Sequence, residues 1–290
     1  MGTVFVTGAT GTVGSAVVAH LRERGENVVA SVRRDGDTAR LPDGVEARLF
    51  DFTADVSAAR VALAGVDRLF LMRPPAIADV QARLFPLIDA ARDSGVRQVV
   101  FLSLQGVQAN RGTPHHAVEA YLKRRDAPYT FLRPNFFMQN LSTTYAQQIR
   151  ETGEISVPAG RSRTAFIDAR DIGRVAAVVF TEPGHLKKAY TLSGEQSLSY
   201  GDVARIMSTV LDRRIVYARP SERAYLAALA AQGAQADYLD VQRMIYRVVR
   251  LNVSALPNRT VRTLTGRPAT SFAQFAQDHR TVWSPVGGGS

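Results

Sequence analysis

An α/β fold built on a doubly wound parallel sheet is what this sequence predicts, from three observations. Short apolar runs bounded by turn residues recur through the N-terminal half. Helical apolar spacing fills the gaps between them, and a glycine-rich turn follows the first run directly.

The runs Thr3–Thr7, Asn27–Val32, Val45–Phe50, Asp67–Met72, Arg97–Leu102 and Pro128–Leu132 are short and β-rich, and read as strands. Between them, Val13–Arg24, Ala54–Leu63, Ile77–Ser94 and Pro114–Arg125 carry apolar residues three to four apart, as helices do. Strands alternating with helices require right-handed crossovers and a parallel sheet. After Arg133 the rhythm changes. A helix is expected over Phe137–Arg150, then a polar stretch, Gly153–Arg163, then a helix from Ile172 with Asp171 as its N-cap. Ala189–Leu192 and Arg214–Ala218 read as strands, Tyr200–Leu211 as an amphipathic helix, residues 221–250 as two helices and Phe272–Val282 as the last. No long linker interrupts the chain. Residues 1–135, with segments near 164–193, are therefore assigned to the core. Residues 136–284 are assigned to a smaller, mostly helical substrate cap, and 285–290 to a disordered tail.

The 290 residues, 46% of them hydrophobic, suffice to fill one such core. The absence of cysteine removes disulfides and thiolate metal sites and accords with a reducing cytoplasm. Residues 1–20 offer no signal peptide, because Gly8-Ala9-Thr10-Gly11 interrupts the first apolar stretch at once. No window of about 18 apolar residues suggests a membrane span. The net charge of +10 would suit nucleic acid, but the 33 arginines and three lysines are spread along the chain, without a basic tail or aromatic-basic pattern. A small-molecule substrate, and a monomer or homodimer, are expected instead.

Val4-Phe5-Val6-Thr7-Gly8-Ala9-Thr10-Gly11-Thr12-Val13-Gly14 reads as strand, glycine turn and helix start. A pyrophosphate needs close backbone approach and the free N–H groups of a helix N-terminus. Gly8 permits the turn, Gly11 the approach and Gly14 the packing of helix on strand, with Thr10, Thr12 and Val13 completing the cradle. This is the dinucleotide-binding turn of a Rossmann fold. The second strand runs into Arg33-Arg34 where an NAD-binding protein would carry an acid. Arginine's donor fork suits a 2′-phosphate, so NADP(H) is the expected coenzyme. Asp51, ahead of Phe52 at the third strand's end, suits either the adenine amino group or a turn.

The Gly-x-x-Gly-x-x-Gly spacing resembles short-chain dehydrogenases of the extended and atypical branches. The wider pattern resembles the NmrA-like atypical short-chain dehydrogenases over nearly the whole chain. It includes Leu71-Met72-Arg73-Pro74-Pro75, Phe101-Leu102-Ser103, Tyr129–Phe137, Phe166–Ile172 and Thr265-Gly266-Arg267-Pro268. That resemblance implies coenzyme contacts from Phe52, Met72, Arg73, Pro74 and Ser103, and nicotinamide contacts from Pro134, Asn135 and Phe137. It also implies either a reductase of quinones, ketones, dyes or imines, or a non-catalytic NADP(H) sensor.

One departure bears on catalysis. Short-chain dehydrogenases ordinarily place Tyr-x-x-x-Lys on the helix that here reads His115-His116-Ala117-Val118-Glu119-Ala120-Tyr121. Registered against Pro128–Arg133, His116 falls in the tyrosine slot and Ala120 in the lysine slot. His116 and Ser103 are the remaining candidates for polar catalysis. Some atypical ketoreductases that tailor aromatic polyketide antibiotics look like this. The expectation is an NADPH-dependent carbonyl or quinone reductase acting on a bulky aromatic substrate. Tyr225, Tyr238, Met244 and Tyr246 either wall its pocket or pack the cap.

Overall fold

The computed structural model describes residues 2–53 and 55–284. Its first half is β1 (Thr3–Val6), α1 (Thr12–Glu23), β2 (Asn27–Val32), β3 (Glu46–Leu49), α2 (Val56–Ala62) and β4 (Arg68–Met72). Next come α3 (Val80–Arg83), α4 (Phe85–Asp93), β5 (Gln98–Leu102), α5 (Pro114–Arg124) and β6 (Tyr129–Pro134). The chain continues through α6 (Gln139–Ser142), α7 (Ala146–Thr152), β7 (Glu154–Ile155), β8 (Arg163–Thr164), α8 (Ala169–Thr181), β9 (Lys188–Leu192) and β10 (Leu198–Ser199). It closes with α9 (Tyr200–Leu211), β11 (Val216–Tyr217), α10 (Glu222–Ala231), α11 (Ala236–Arg250), α12 (Thr260–Thr265) and α13 (Phe272–Asp278).

The chain divides into two compact units. The first comprises residues 1–134, 169–192 and 260–267, and the second comprises 135–168, 193–259 and 268–290. In the first, seven parallel strands lie in the order β3-β2-β1-β4-β5-β6-β9. Strand order reverses between β1 and β4, and in such sheets ligands bind in the crevice beyond the carboxyl ends there. β4 and β5 are buried almost throughout, so they read as continuous apolar runs rather than alternations. Phe5, Leu69, Leu71, Phe101 and Phe131 anchor one face of the sheet against α2, α4 and α5.

The second unit has its own apolar core. It is built on Met138, Ile149, Phe166, Met207, Phe272, Phe275 and the fully buried Trp283. The Trp283 indole N–H donates to the Leu141 carbonyl at 2.8 Å, so the ring is buried with its one polar atom satisfied. No helix among the described residues is long and apolar enough to cross a membrane.

Several elements differ from the sequence expectation, each for a local reason. The helix expected over Ile77–Ser94 breaks between α3 and α4, because Pro86 in the first turn of α4 lacks the N–H a continuous helix would use. The helix expected over Phe137–Arg150 divides into α6 and α7. Ser142 and Thr143 hydroxyls both donate to the Gln139 carbonyl, at 3.2 and 2.8 Å, and end the first helical segment. Asp171 is no N-cap. It sits inside the first turn of α8, fully buried, paired with Arg174 at 3.1 Å. The last helix stops at Asp278 and gives way to a 3-10 turn over Arg280–Trp283. The expected tail 285–290 lies outside the described residues.

Candidate active site

The crevice of the first unit begins at the glycine turn. Thr7 holds that turn to the neighbouring strand. Its backbone N–H and hydroxyl both donate to the Phe70 carbonyl at 3.0 Å, and the hydroxyl accepts from the Met72 N–H at 2.8 Å. Gly8 has φ +64°, a conformation that costs glycine little and other residues more. Gly11 is the N-cap of α1, with φ −90° and ψ 174°, and no side chain caps the helix. The first turn of α1 carries no acidic residue, and the amides of Thr12, Val13 and Gly14 occupy positions where helix geometry supplies no internal acceptor. Gly14 and Val13 are buried against the turn, Thr10 is half-buried and Thr12 is exposed. The result is an uncapped, acid-free helix start under a glycine turn, which fits a dinucleotide pyrophosphate.

At the end of β2, Arg33 is exposed and makes no hydrogen bond or ion pair among the described residues. Arg34 lies 3.8 Å from Asp37. Arg40 was not singled out in the sequence, yet its Nη2 donates to the Thr10 carbonyl at 3.0 Å. It reaches the glycine turn through a 3-10 turn over Asp35–Arg40 that the sequence periodicity did not reveal. The signal was present in the spacing of basic residues after β2, but only folding shows which one returns to the loop.

Asp51 closes a local turn onto Thr53. Its Oδ1 accepts from the Thr53 N–H at 2.7 Å and the Thr53 hydroxyl at 2.6 Å. Those two bonds, with the positive charge of Arg33, hold its carboxyl below the usual range. Phe52 is buried, its ring packed edge-on to Phe50.

Met72, Arg73 and Pro74 leave β4 at the crevice, each half-buried. The Arg73 guanidinium folds onto its own loop, where Nη1 donates to the carbonyls of Pro74, Pro75 and Ile77 at 3.1, 3.0 and 2.6 Å, while its Nε is buried without a partner. Ser103, just past β5, is 4% exposed, and its hydroxyl has no partner either. Buried hydroxyls are rarely left so, and each exception needs an explanation. Pro134, buried, ends β6.

α5 is held to β6 by a buried pair. Arg133 Nε donates to Glu119 Oε1 at 2.9 Å and Nη2 to Oε2 at 2.6 Å, both residues being nearly inaccessible. That bidentate grip fixes the helix carrying His115 and His116. His116 Nδ1 lies 3.2 Å from the Val107 carbonyl. His115 is packed against Phe101, with ring centroids 6.0 Å apart. Burial, with the Arg73 charge adding to it, pushes the His115 imidazole down to about 4.

In the second unit, Asn135 is buried and satisfied. Its Nδ2 donates to the Ser254 carbonyl at 2.9 Å, and its Oδ1 accepts from the Phe136 N–H at 2.8 Å. Phe137 is half-buried and bridges to Ile167. Tyr225 and Tyr246 are interior, whereas Tyr238 and Met244 are exposed. The Tyr145 and Tyr246 hydroxyls meet at 2.5 Å, and the Tyr225 hydroxyl donates to Gln242 Oε1 at 3.0 Å. Burial pushes Tyr145 up to about 12. A separate groove of about 300 Å³ in this unit is lined by Met138, Phe166, Glu195, Leu198 and Phe272.

The sequence profile of the NmrA-like family matches residues 1–243. The chain belongs to the NmrA-like family. An NAD(P)H azoreductase from Xenophilus azovorans is 35% identical over 287 residues, covering 97% of this chain and 99% of the relative. An Escherichia coli NADPH-dependent quinone oxidoreductase, solved with NADPH, is similar with a TM-score of 0.85 at 25% identity, over 95% of this NmrA-like chain and 99% of that one. A Citrobacter sp. triphenylmethane reductase complexed with NADP(H) gives 0.84 at 25% identity, over 96% and 99%.

Proposed function

We propose that this protein is an NADPH-dependent reductase that adds hydride to a ketone or quinone carbonyl of a bulky, aromatic substrate, without a Tyr-x-x-x-Lys dyad. The observation that carries the reading is the pairing of an uncapped glycine turn with a buried, unpartnered Ser103 hydroxyl at the same end of the sheet. The first suits a pyrophosphate and the second a polar group brought in by a ligand. The named activities of relatives at 25–35% identity support the same class of chemistry.

NADPH, when bound, supplies the hydride. The protein's share is to bind, orient and exclude water. In this reading Gly8, Gly11 and the first-turn amides of α1 hold the pyrophosphate, while Arg33, with Arg34 and Arg40 nearby, meets the 2′-phosphate. Ser103 donates its hydroxyl to a coenzyme or substrate oxygen. Arg73 holds the loop after β4 in shape through three carbonyls. Positioning alone supplies a large part of such a rate, so loss of a dyad worth about 10²–10⁴-fold leaves measurable turnover. The resemblance to ketoreductases of antibiotic tailoring supports a polycyclic aromatic substrate as one choice within this class.

The test is NADPH consumption against a panel of quinones and aromatic ketones. Steady, substrate-dependent oxidation is expected. Tight NADPH binding with no turnover on any member, together with coenzyme-dependent association with another protein, would establish a redox sensor instead.

A further inference from the structure

His115 and His116 are neighbours on α5, so their side chains leave the helix about 100° apart and meet different surroundings. His116 Nδ1 faces the Val107 carbonyl at 3.2 Å. A carbonyl oxygen has no hydrogen, so in that contact the ring nitrogen donates. A neutral imidazole owns one N–H. With that N–H held by Val107, a neutral His116 ring has only the Nε2 lone pair left for another partner, and a lone pair cannot stabilise a carbonyl oxygen that is gaining charge.

His115 differs in each respect. Its ring packs on Phe101, two residues before Ser103, and makes no hydrogen bond among the described residues. The charged group that bears on it is Arg73, at the end of the neighbouring strand β4. The ring is therefore kept neutral by burial and by a guanidinium, and its N–H is uncommitted. Just past the carboxyl ends of β5 and β4, the Ser103 hydroxyl and Arg73 Nε are buried without partners. Three donors with no internal acceptor thus gather at the carboxyl ends of β4 and β5.

We infer that His115, rather than His116, donates the hydrogen bond to the substrate oxygen, and that this site is specific for carbonyl or quinone oxygens. The inference rests on the reductase reading above. In the reduction the substrate receives a hydride, two electrons with one hydrogen nucleus, from NADPH. Its oxygen takes one proton from water, giving the alcohol or hydroquinone, NADP⁺ and a hydroxide neutralised by solvent. The imidazole lends its N–H to the oxygen as charge builds there and keeps its proton throughout. Nearby Arg73 adds positive potential, which favours an oxygen becoming anionic and disfavours a cationic acceptor.

The experiment uses the full chain with 2-methyl-1,4-naphthoquinone as acceptor. His115→Ala is expected to leave NADPH affinity within about threefold and to lower kcat/KM by about 10²-fold, with His115→Gln recovering part of the loss through its side-chain N–H. His116→Ala should cost about tenfold or less. A His115→Ala enzyme within about threefold of wild type in kcat/KM would overturn the inference while leaving the reductase reading intact. If the wild type reduces no quinone or ketone at all, it is the reductase reading that fails, and the inference with it. A readout independent of turnover is the ring-nitrogen NMR signal of His115, assigned with His115→Gln, in the wild type bound to NADP⁺ and the quinone. No electrons are available in that complex. A shift of this signal on adding the quinone supports the inference whether or not the alanine variant folds, and a stationary signal beside other shifting resonances overturns it.

Discussion

Gly14 stands so close to Gly8 that a Cβ on Gly14 would lie 2.0 Å from the Gly8 carbonyl oxygen and 2.9 Å from the Ala9 Cα. These are backbone atoms of the turn, and no side chain can swing aside to make room. At Gly11 the same construction meets the Gly8 oxygen at 3.2 Å, on backbone that any residue can adopt. The two glycines therefore separate fold from binding. Gly14→Ala is expected to destabilise the protein by about 1–3 kcal/mol or more, as overpacked sites do, with a lower Tm in thermal melts. Gly11→Ala should keep most of the Tm yet weaken NADPH binding by about tenfold or more, because its methyl occupies the approach to the helix N-terminus. Equal Tm losses with unchanged binding in both variants would contradict this division.

The arginines after β2 should set coenzyme choice. Wild-type protein is expected to bind NADPH at least about tenfold more tightly than NADH, since a charge-assisted pair with phosphate is worth on the order of 1.5–3 kcal/mol. Arg33→Ala should erase most of that preference while leaving NADH affinity nearly unchanged. Arg40→Ala should weaken both coenzymes, because it loosens the glycine turn through Thr10 as well. Fluorescence titration of the four combinations checks it, and equal wild-type affinities would refute the NADP(H) assignment.

Ser103→Ala offers an inverted signature. An unsatisfied buried hydroxyl costs about 1–3 kcal/mol, so its removal should leave the Tm of the ligand-free protein unchanged or raised. The same substitution should lower turnover, or coenzyme affinity, by about tenfold. A fall in Tm with unchanged turnover would make Ser103 a purely structural residue.

His115 also leaves a mark on stability against pH. Its folded-state value near 4 lies below the ordinary 6.5, so between these limits the unfolded chain binds a proton that the folded chain refuses. Its contribution is complete above pH 6.5 and is lost as pH falls towards 4, a decline of about 3 kcal/mol at most. His115→Gln should flatten that part of a denaturation-against-pH curve. A wild-type curve no steeper than the variant's over this window would show that the ring is not held neutral.

The sheet was legible in the sequence because its signals are local. Thr3–Val6, Asn27–Val32 and Gln98–Leu102 are apolar runs whose burial needs no partner to be inferred, and the glycine turn is a contiguous string. The interruptions were not legible. Whether Ser142 and Thr143 bond back to Gln139, or Pro86 falls inside a helix or at its start, turns on local hydroxyl geometry and chain path that apolar spacing does not encode. The site divides similarly. Gly8, Gly11 and Arg33 announce themselves by type and position. Arg40 depends on a turn, and the difference between His115 and His116 depends on which face of α5 meets Val107 and which meets Phe101. Adjacent identical residues carry no sequence signal that could separate them.

The alternation of the two units along the chain bears on how the protein is made. The path changes unit after residues 134, 168, 192, 259 and 267. A ribosome that has released β1 to β6 has produced six of the seven strands, but the edge of β6 stays open until Lys188–Leu192 emerges to pair with Thr130–Pro134. Thr260–Thr265 arrives later still. Parallel pairing over such separations forms late, after the loop-closure entropy has been met. During synthesis an apolar sheet edge therefore waits unpaired, the condition under which nascent chains aggregate. No simple truncation yields either unit intact. Expression of fragments ending near residue 135 should give insoluble protein, whereas the full chain, with its last strand in place, has closed that edge before release.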